Sequence, residues 1–239
     1  MATAEDGAVL ILAADRRELE GLLARCPRVR RLRWGLDFAA QAELNGRRLL
    51  LAANGPGPEL AGRALKALLE REPLRIVISA GTCGGLAPEL AFGDIFVAGQ
   101  IRSAVAGRTF ETCPLSAPEV CRRGVLLSVD RVILKSEEKA ELHRQGAEAV
   151  DMEAAAVAEA ASRCGLPVAA IRVVLDTAQE SFDIDFNAMR GPDGRFSGGI
   201  LMRAALRHPL AIGTELLRLR RKLGVAAARL GDFLAACRF

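Results

Sequence analysis

Short apolar runs alternate with helix-periodic segments along most of the chain, and this alternation more than any other feature restricts what it can fold into. Strand-like runs fall at Val9–Ala14, Phe38–Leu44, Arg48–Ala53, Arg75–Ala80, Asp94–Ala98, Val125–Val129 and Val168–Leu175. Between them, small and apolar residues recur at three- and four-residue intervals over Arg17–Arg25, Glu59–Arg71, Ser136–Gln145 and Met152–Cys164, which predicts helices. Strands separated by helices need crossovers and therefore pair in parallel. Asn45-Gly46, set between two alternating runs, is the two-residue turn of a hairpin, so part of the sheet must be antiparallel. The expected class is α/β: a single-domain mixed, mainly parallel β-sheet flanked by helices over residues 1–190, with a basic, amphipathic C-terminal helical extension over 191–239. Ligands of such sheets bind beyond the strand ends.

Composition narrows the setting. The 239 residues are 51% hydrophobic and 26% charged, enough to bury a full core. Six cysteines without a C-x-x-C pair, and only His143 and His208 beside them, argue against a zinc site or a disulfide scaffold; a reducing cytoplasm is the simplest setting. Acidic Glu5 and Asp6 precede the first apolar run, the reverse of a signal peptide, and no uninterrupted run of about eighteen apolar residues exists to span a bilayer.

Four strand ends carry unusual residues. At Ala14-Asp15-Arg16-Arg17-Glu18 a strand runs into a helix, and Asp15 with Glu18 fits a capping box as well as a site. Asn54-Gly55-Pro56-Gly57-Pro58-Glu59 opens a helix; its prolines remove amide donors, so it reads as a rigid turn and a poor phosphate cradle. Ser79-Ala80-Gly81-Thr82-Cys83-Gly84-Gly85 ends a buried strand in glycines and hydroxyls whose amides could meet an anion, a ribose or a water. It is neither a Walker loop nor a Rossmann fingerprint.

The fourth end is Val150-Asp151-Met152-Glu153-Ala154 followed by the strand Ile171-Arg172-Val173-Val174-Leu175-Asp176. Acids at a helix start are favoured by the dipole, and Arg172 with Asp176, four apart on one strand, could be a structural pair. Charges in so apolar a strand need a partner or a task. One carboxylate to grip a sugar diol and another to protonate a leaving base are what cleavage of a glycosidic bond requires.

These pieces together resemble the purine nucleoside phosphorylase and methylthioadenosine/S-adenosylhomocysteine nucleosidase superfamily. The likeness rests on the Gly-Thr-x-Gly-Gly-Leu turn, the following Phe-Gly-Asp-Ile, Val-Asp-Met-Glu-Ala-Ala-Ala and the Arg-x-x-x-Asp strand, and runs from the first strand to about Asp185. It implies that Asp176 protonates purine N7, that Glu153 binds the ribose hydroxyls and that Met152 packs on the sugar. Glu18, Thr82 with Gly81, and Arg172 would orient an attacking water or meet phosphate as co-substrate. The resemblance implies no metal or redox cofactor, a small nucleoside as ligand rather than a nucleic acid, and a homo-oligomer.

The chain also departs from the pattern. Leu175 replaces the usual Ser before the Asp, Gln179 stands where an Asp is usual, and Val132 stands where a Phe commonly stacks on the purine. Phe182 and Phe186, after the last strand, could form a lip. The tail resembles the hopanoid-associated phosphorylases, which implies an adenosine with a lipid-like 5′ group. Positions 200–239 hold eight basic residues and two acids in a chain whose net charge is +4, with Leu216, Leu217, Leu219, Leu223, Leu230, Phe233 and Leu234 interleaved. Such a helix suits the surface of an anionic inner membrane or, equally, the protein's own body.

Overall fold

The computed structural model describes residues 7–118, 120–182, 184–191, 195 and 209–239, with the backbone alone for 209–216. Ten strands form one sheet: β1 (Ala8–Ala13), β2 (Arg28–Arg31), β3 (Phe38–Leu44), β4 (Arg47–Ala53), β5 (Leu74–Gly85), β6 (Ile95–Ser103), β7 (Thr109–Glu111), β8 (Arg122–Ser128), β9 (Ala149–Asp151) and β10 (Val168–Asp176). The helices are α1 (Glu20–Leu23), α2 (Pro58–Leu69), α3 (Ser136–Arg144), α4 (Ala154–Arg163) and α5 (Pro209–Ala236), with 3-10 turns at Arg16–Leu19 and Asn187–Met189.

Strands β4, β1, β5 and β10 lie side by side and run parallel. Their near-continuous apolar sequences follow from burial on both faces. The Asn45-Gly46 hairpin forms as expected, both residues at positive φ (53° and 73°), and makes β3–β4 antiparallel. Beyond this flat part the sheet curls. Strand β10 pairs with both β5 and β6, while β5 continues onto β9, so β5, β9, β8, β6 and β10 close into a ring.

Several expectations shift. The predicted helix over Arg17–Arg25 is a 3-10 turn and a single α-turn. The Gly81–Gly85 stretch, expected as a turn, is strand: Gly81 pairs with Arg172 and Gly84 with both Asp176 and Val150. Strands β2, β7 and β9 were not predicted. The first is exposed and carries three arginines, and the other two are three residues long, too short for a period to register.

Helices cover both faces. On one, Ala61, Ala64, Leu65 and Leu68 of α2 and Ala154, Val157, Ala158 and Ala161 of α4 pack on the sheet. On the other lie Leu19 and Leu22 with Ala226, Leu230, Phe233 and Leu234 of α5. There α5 crosses α1 with backbone nearly touching: a Cβ added at Gly21 would sit 2.0 Å from Ala227 O, and one at Gly231 2.2 Å from Gly21 C. Residues 226–237 of the expected extension thus belong to this helical layer, and Leu230, Phe233 and Leu234 are spent on the body. Leu217 stays exposed. The stretch 196–208, with Phe196 and His208, lies outside the described residues, and no described helix is long and apolar enough to cross a membrane.

Candidate active site

The charged groups converge at the C-terminal ends of β1, β5 and β10. Asp15 and Glu18 do form the capping box, with Asp15 Oδ1 accepting from Arg17 N at 2.8 Å. Glu18 nevertheless points inward and is 6% exposed. Its Oε2 accepts from the amides of Ala14 and Asp15, and its Oε1 from the amide (2.8 Å) and hydroxyl (2.9 Å) of Thr82. Gly81 makes this contact possible, because a Cβ there would lie 2.9 Å from Glu18 Oε1. Burial raises the Glu18 pKa, against the lowering by these hydrogen bonds and by the Arg172 charge. Glu18 therefore serves both as the reciprocal partner of the Asp15 cap and as a buried carboxylate.

Arg172 and Asp176 do not form a pair. A register shift between Val174 and Asp176 interrupts the strand's regular pairing, and each finds its own counter-ion. Arg172, 1% exposed, is ion-paired with Asp151 and donates to Ser79 O, Ser79 Oγ and Ile171 O. Its five N–H groups meet five acceptor contacts, so none is left for a water or a phosphate. The structure thus engages every donor of Arg172, expected to meet water or phosphate, within the protein itself. Asp151 also accepts from Ala154 N and from Ser128 Oγ, which in turn accepts from Ala155 N, so the pair closes the open amides at the start of α4.

Glu153 is half-buried beside this pair, and Gly57 N donates to its Oε1 at 2.7 Å. The Pro-Gly turn before α2 thus cradles a carboxylate of the protein itself. Met152, also half-buried, flanks Glu153. Burial and the neighbouring Asp151 push the Glu153 pKa up to about 7. The sign follows: between the ordinary value of 4.5 and about 7 the folded chain holds a proton that the unfolded chain has released, so stability falls as pH rises through that window. Glu153→Gln is expected to flatten this slope in thermal melts from pH 4.5 to 7.5; an unchanged slope would show that Glu153 does not cause it.

Asp176, 9% exposed, meets a residue that was not predicted: Lys139 Nζ donates to its Oδ2 at 2.5 Å. Gly84 leaves room, since a Cβ there would lie 3.1 Å from that oxygen. Burial raises the Asp176 pKa more than the Lys139 charge lowers it. Phe182 stands over Lys139, its ring centroid 5.6 Å from Nζ, and meets Phe186 edge to face at 5.4 Å. Val132 is half-buried, and both its backbone groups are held by the side-chain amide of Asn187, at 2.8 and 2.9 Å. A cleft of about 340 Å³, lined in part by Gly57, Leu60, Asp130, Asn187 and Arg190, opens beside the Glu153 anchor. A larger one of about 570 Å³, between β7 and the end of α4, holds none of these groups.

Lys139, Ser128 and Asn187 are site neighbours that the sequence did not single out. Lys139 sits in Ser-Glu-Glu-Lys-Ala-Glu, which reads as a solvated helix, and only the tertiary packing turns it inward. Among the described residues no cluster of three or more His, Cys, Asp or Glu side chains is arranged to hold a metal ion. The buried acids Glu18, Asp151 and Asp176 and the half-buried Glu153 gather around the two cations Arg172 and Lys139, so the site holds more carboxyl groups than cations, an arrangement that can stabilise a developing positive charge when they ionise.

A family model described as the phosphorylase superfamily matches residues 8–121 and 108–192. Among solved structures, the 5′-methylthioadenosine/S-adenosylhomocysteine nucleosidase of Neisseria meningitidis, in complex with methylthio-immucillin-A, is similar with a TM-score of 0.72 and 22% identity, over 96% of this chain and 97% of that one. The S-adenosylhomocysteine nucleosidase of Streptococcus pyogenes, in complex with 5-methylthiotubericidin, reaches 0.71 at 19% identity, covering 97% and 95%. The futalosine hydrolase of Helicobacter pylori reaches 0.72 at 18%, covering 98% of each chain.

Proposed function

The chain belongs to the phosphorylase superfamily, and from that premise we propose that it hydrolyses the N-glycosidic bond of a purine nucleoside, an adenosine modified at C5′. Asp176 gives its proton to the purine as the C1′–N9 bond breaks, so the base leaves neutral. Glu153, ionised, accepts hydrogen bonds from the ribose hydroxyls, and the surplus acids stabilise the ribosyl oxocarbenium ion. Glu18 takes a proton from a water as its oxygen bonds to C1′, and the cycle closes when Glu18 releases that proton to solvent and Asp176 regains one from it. The proposed sites are completed by Met152 against the sugar and by Val132 and Phe182 around the base.

One observation carries the choice of water over phosphate. The donors at the end of β5 that an anion would use, the Thr82 amide and hydroxyl, already serve the Glu18 carboxylate. Phosphate would meet a carboxylate there, with Arg172 unable to donate. An apolar 5′ group, with an adenosyl-lipid as the extreme, is supported by the tail's resemblance and by the Phe182–Phe186 pair.

The test is incubation with 5′-methylthioadenosine, S-adenosylhomocysteine and an adenosine bearing an apolar 5′ chain, with and without phosphate. Adenine and a reducing sugar should form at a rate independent of phosphate. Ribose 1-phosphate would replace hydrolysis with phosphorolysis, and binding without adenine release would make the chain a nucleoside-binding protein.

A further inference from the structure

Lys139 is the one fully buried residue of α3, whose other residues are half-buried or exposed, and it is 0% exposed. A buried ammonium costs several kcal/mol unless its protons are matched. Here all three are: Asp176 Oδ2 at 2.5 Å, Thr177 O at 2.7 Å and Glu180 O at 2.9 Å. The two carbonyls belong to the turn that follows Asp176, so one side chain fastens both the carboxylate and the backbone behind it. Asp176 Oδ1 has no hydrogen-bond partner among the described residues and is not shut off from solvent.

From this geometry we infer that Lys139 is a positioning residue for the proton donor: it engages Oδ2, so the neutral acid carries its proton on Oδ1, the oxygen free to meet the leaving base. The inference rests on the reading of Asp176 as the acid. The surroundings agree with a pinned turn. Glu180 accepts from Thr177 N at 3.0 Å and from Arg218 and Lys222 of α5 at 2.7–2.9 Å, so the turn is held from outside as Lys139 holds it from within. The charged and titratable groups facing Asp176 are Lys139 from α3, Glu180 from its own turn, Lys222 from α5 and Cys83 from β5.

The experiment is a titration of the Asp176 carboxyl by carbon NMR in the full chain, with and without Lys139→Met, the signal assigned by its loss in Asp176→Asn. Removing an opposite charge at this range raises a carboxyl by about one to three pH units. The alkaline limb of turnover should move up with it, while kcat falls about 100-fold and KM stays within about threefold. An Asp176 that titrates at the same pH in folded Lys139→Met overturns the inference. If that variant does not fold, Lys139→Met with Asp176→Asn should restore a folded chain, since both charges are then gone; a double variant as unstable as the single one overturns it equally. The titration is read without substrate, so a wild-type chain that releases no base counts against the hydrolase reading and not against the Lys139–Asp176 coupling.

Discussion

Asp176→Asn is expected to lower the rate of purine release about 1000-fold, with KM changed only a few-fold. The amide can still accept from Lys139, but it has no acidic proton to give the base. The same change leaves a buried ammonium facing two carbonyls and no carboxylate. Breaking a buried ion pair by removing one partner costs about 3–5 kcal/mol, and the carbonyls keep this case near the lower end. For a chain of this size the melting temperature should then fall by about 10 °C. Adenine release under single-turnover conditions and calorimetry read the two effects separately. Turnover within tenfold of wild type would take the acid role away from Asp176.

Arg172→Met should be the most destabilising change in the site while leaving no group unable to react. The guanidinium is fully buried, and its loss strands Asp151 beside Glu153, two acids without the cation between them. A cost of about 3–5 kcal/mol follows, a drop of about 10 °C or more in melting temperature. Arg172→Lys should recover little, because an ammonium has three donors where five contacts are made, and it lacks the planar fork that spans Asp151 and Ser79. Adding Asp151→Asn to Arg172→Met should return part of the loss, since the stranded charge goes with it. A melting temperature within about 2 °C of wild type in Arg172→Met would show that the pair does not hold the site together.

Both expectations depend on partners that lie far away in the chain. Asp176 and Arg172 were legible because they stand in an apolar strand, where a charge is costly, and the acids of Asp151-Met152-Glu153 because they occur together with that strand. Glu18 was legible as a member of a capping box, and as a site residue only through the family resemblance. The counter-ions of these groups were not legible. Arg172 and Asp176, four apart on one strand, suggest a pair; the register shift and the arrival of β9 and α3 give each another partner. Gly57 gave no sign that its amide would hold Glu153, 96 residues away, because backbone donors are the same in every sequence. The glycines at 81 and 84 were visible, but their reason was not: they clear space for two carboxylates brought in from elsewhere.

The sequence by itself determined the alternation of strands and helices, the Asn45-Gly46 hairpin and the acids at the strand ends, because these follow from local periodicity, turn geometry and the cost of charge in apolar surroundings. Only the tertiary structure decided which charges meet. Ring closure of the sheet sets β5 between β1, β9 and β10, and the packing of α3 turns Lys139 inward to Asp176. Those contacts depend on loop closure and long-range register, in which residues far apart in sequence become neighbours, and no local pattern encodes that.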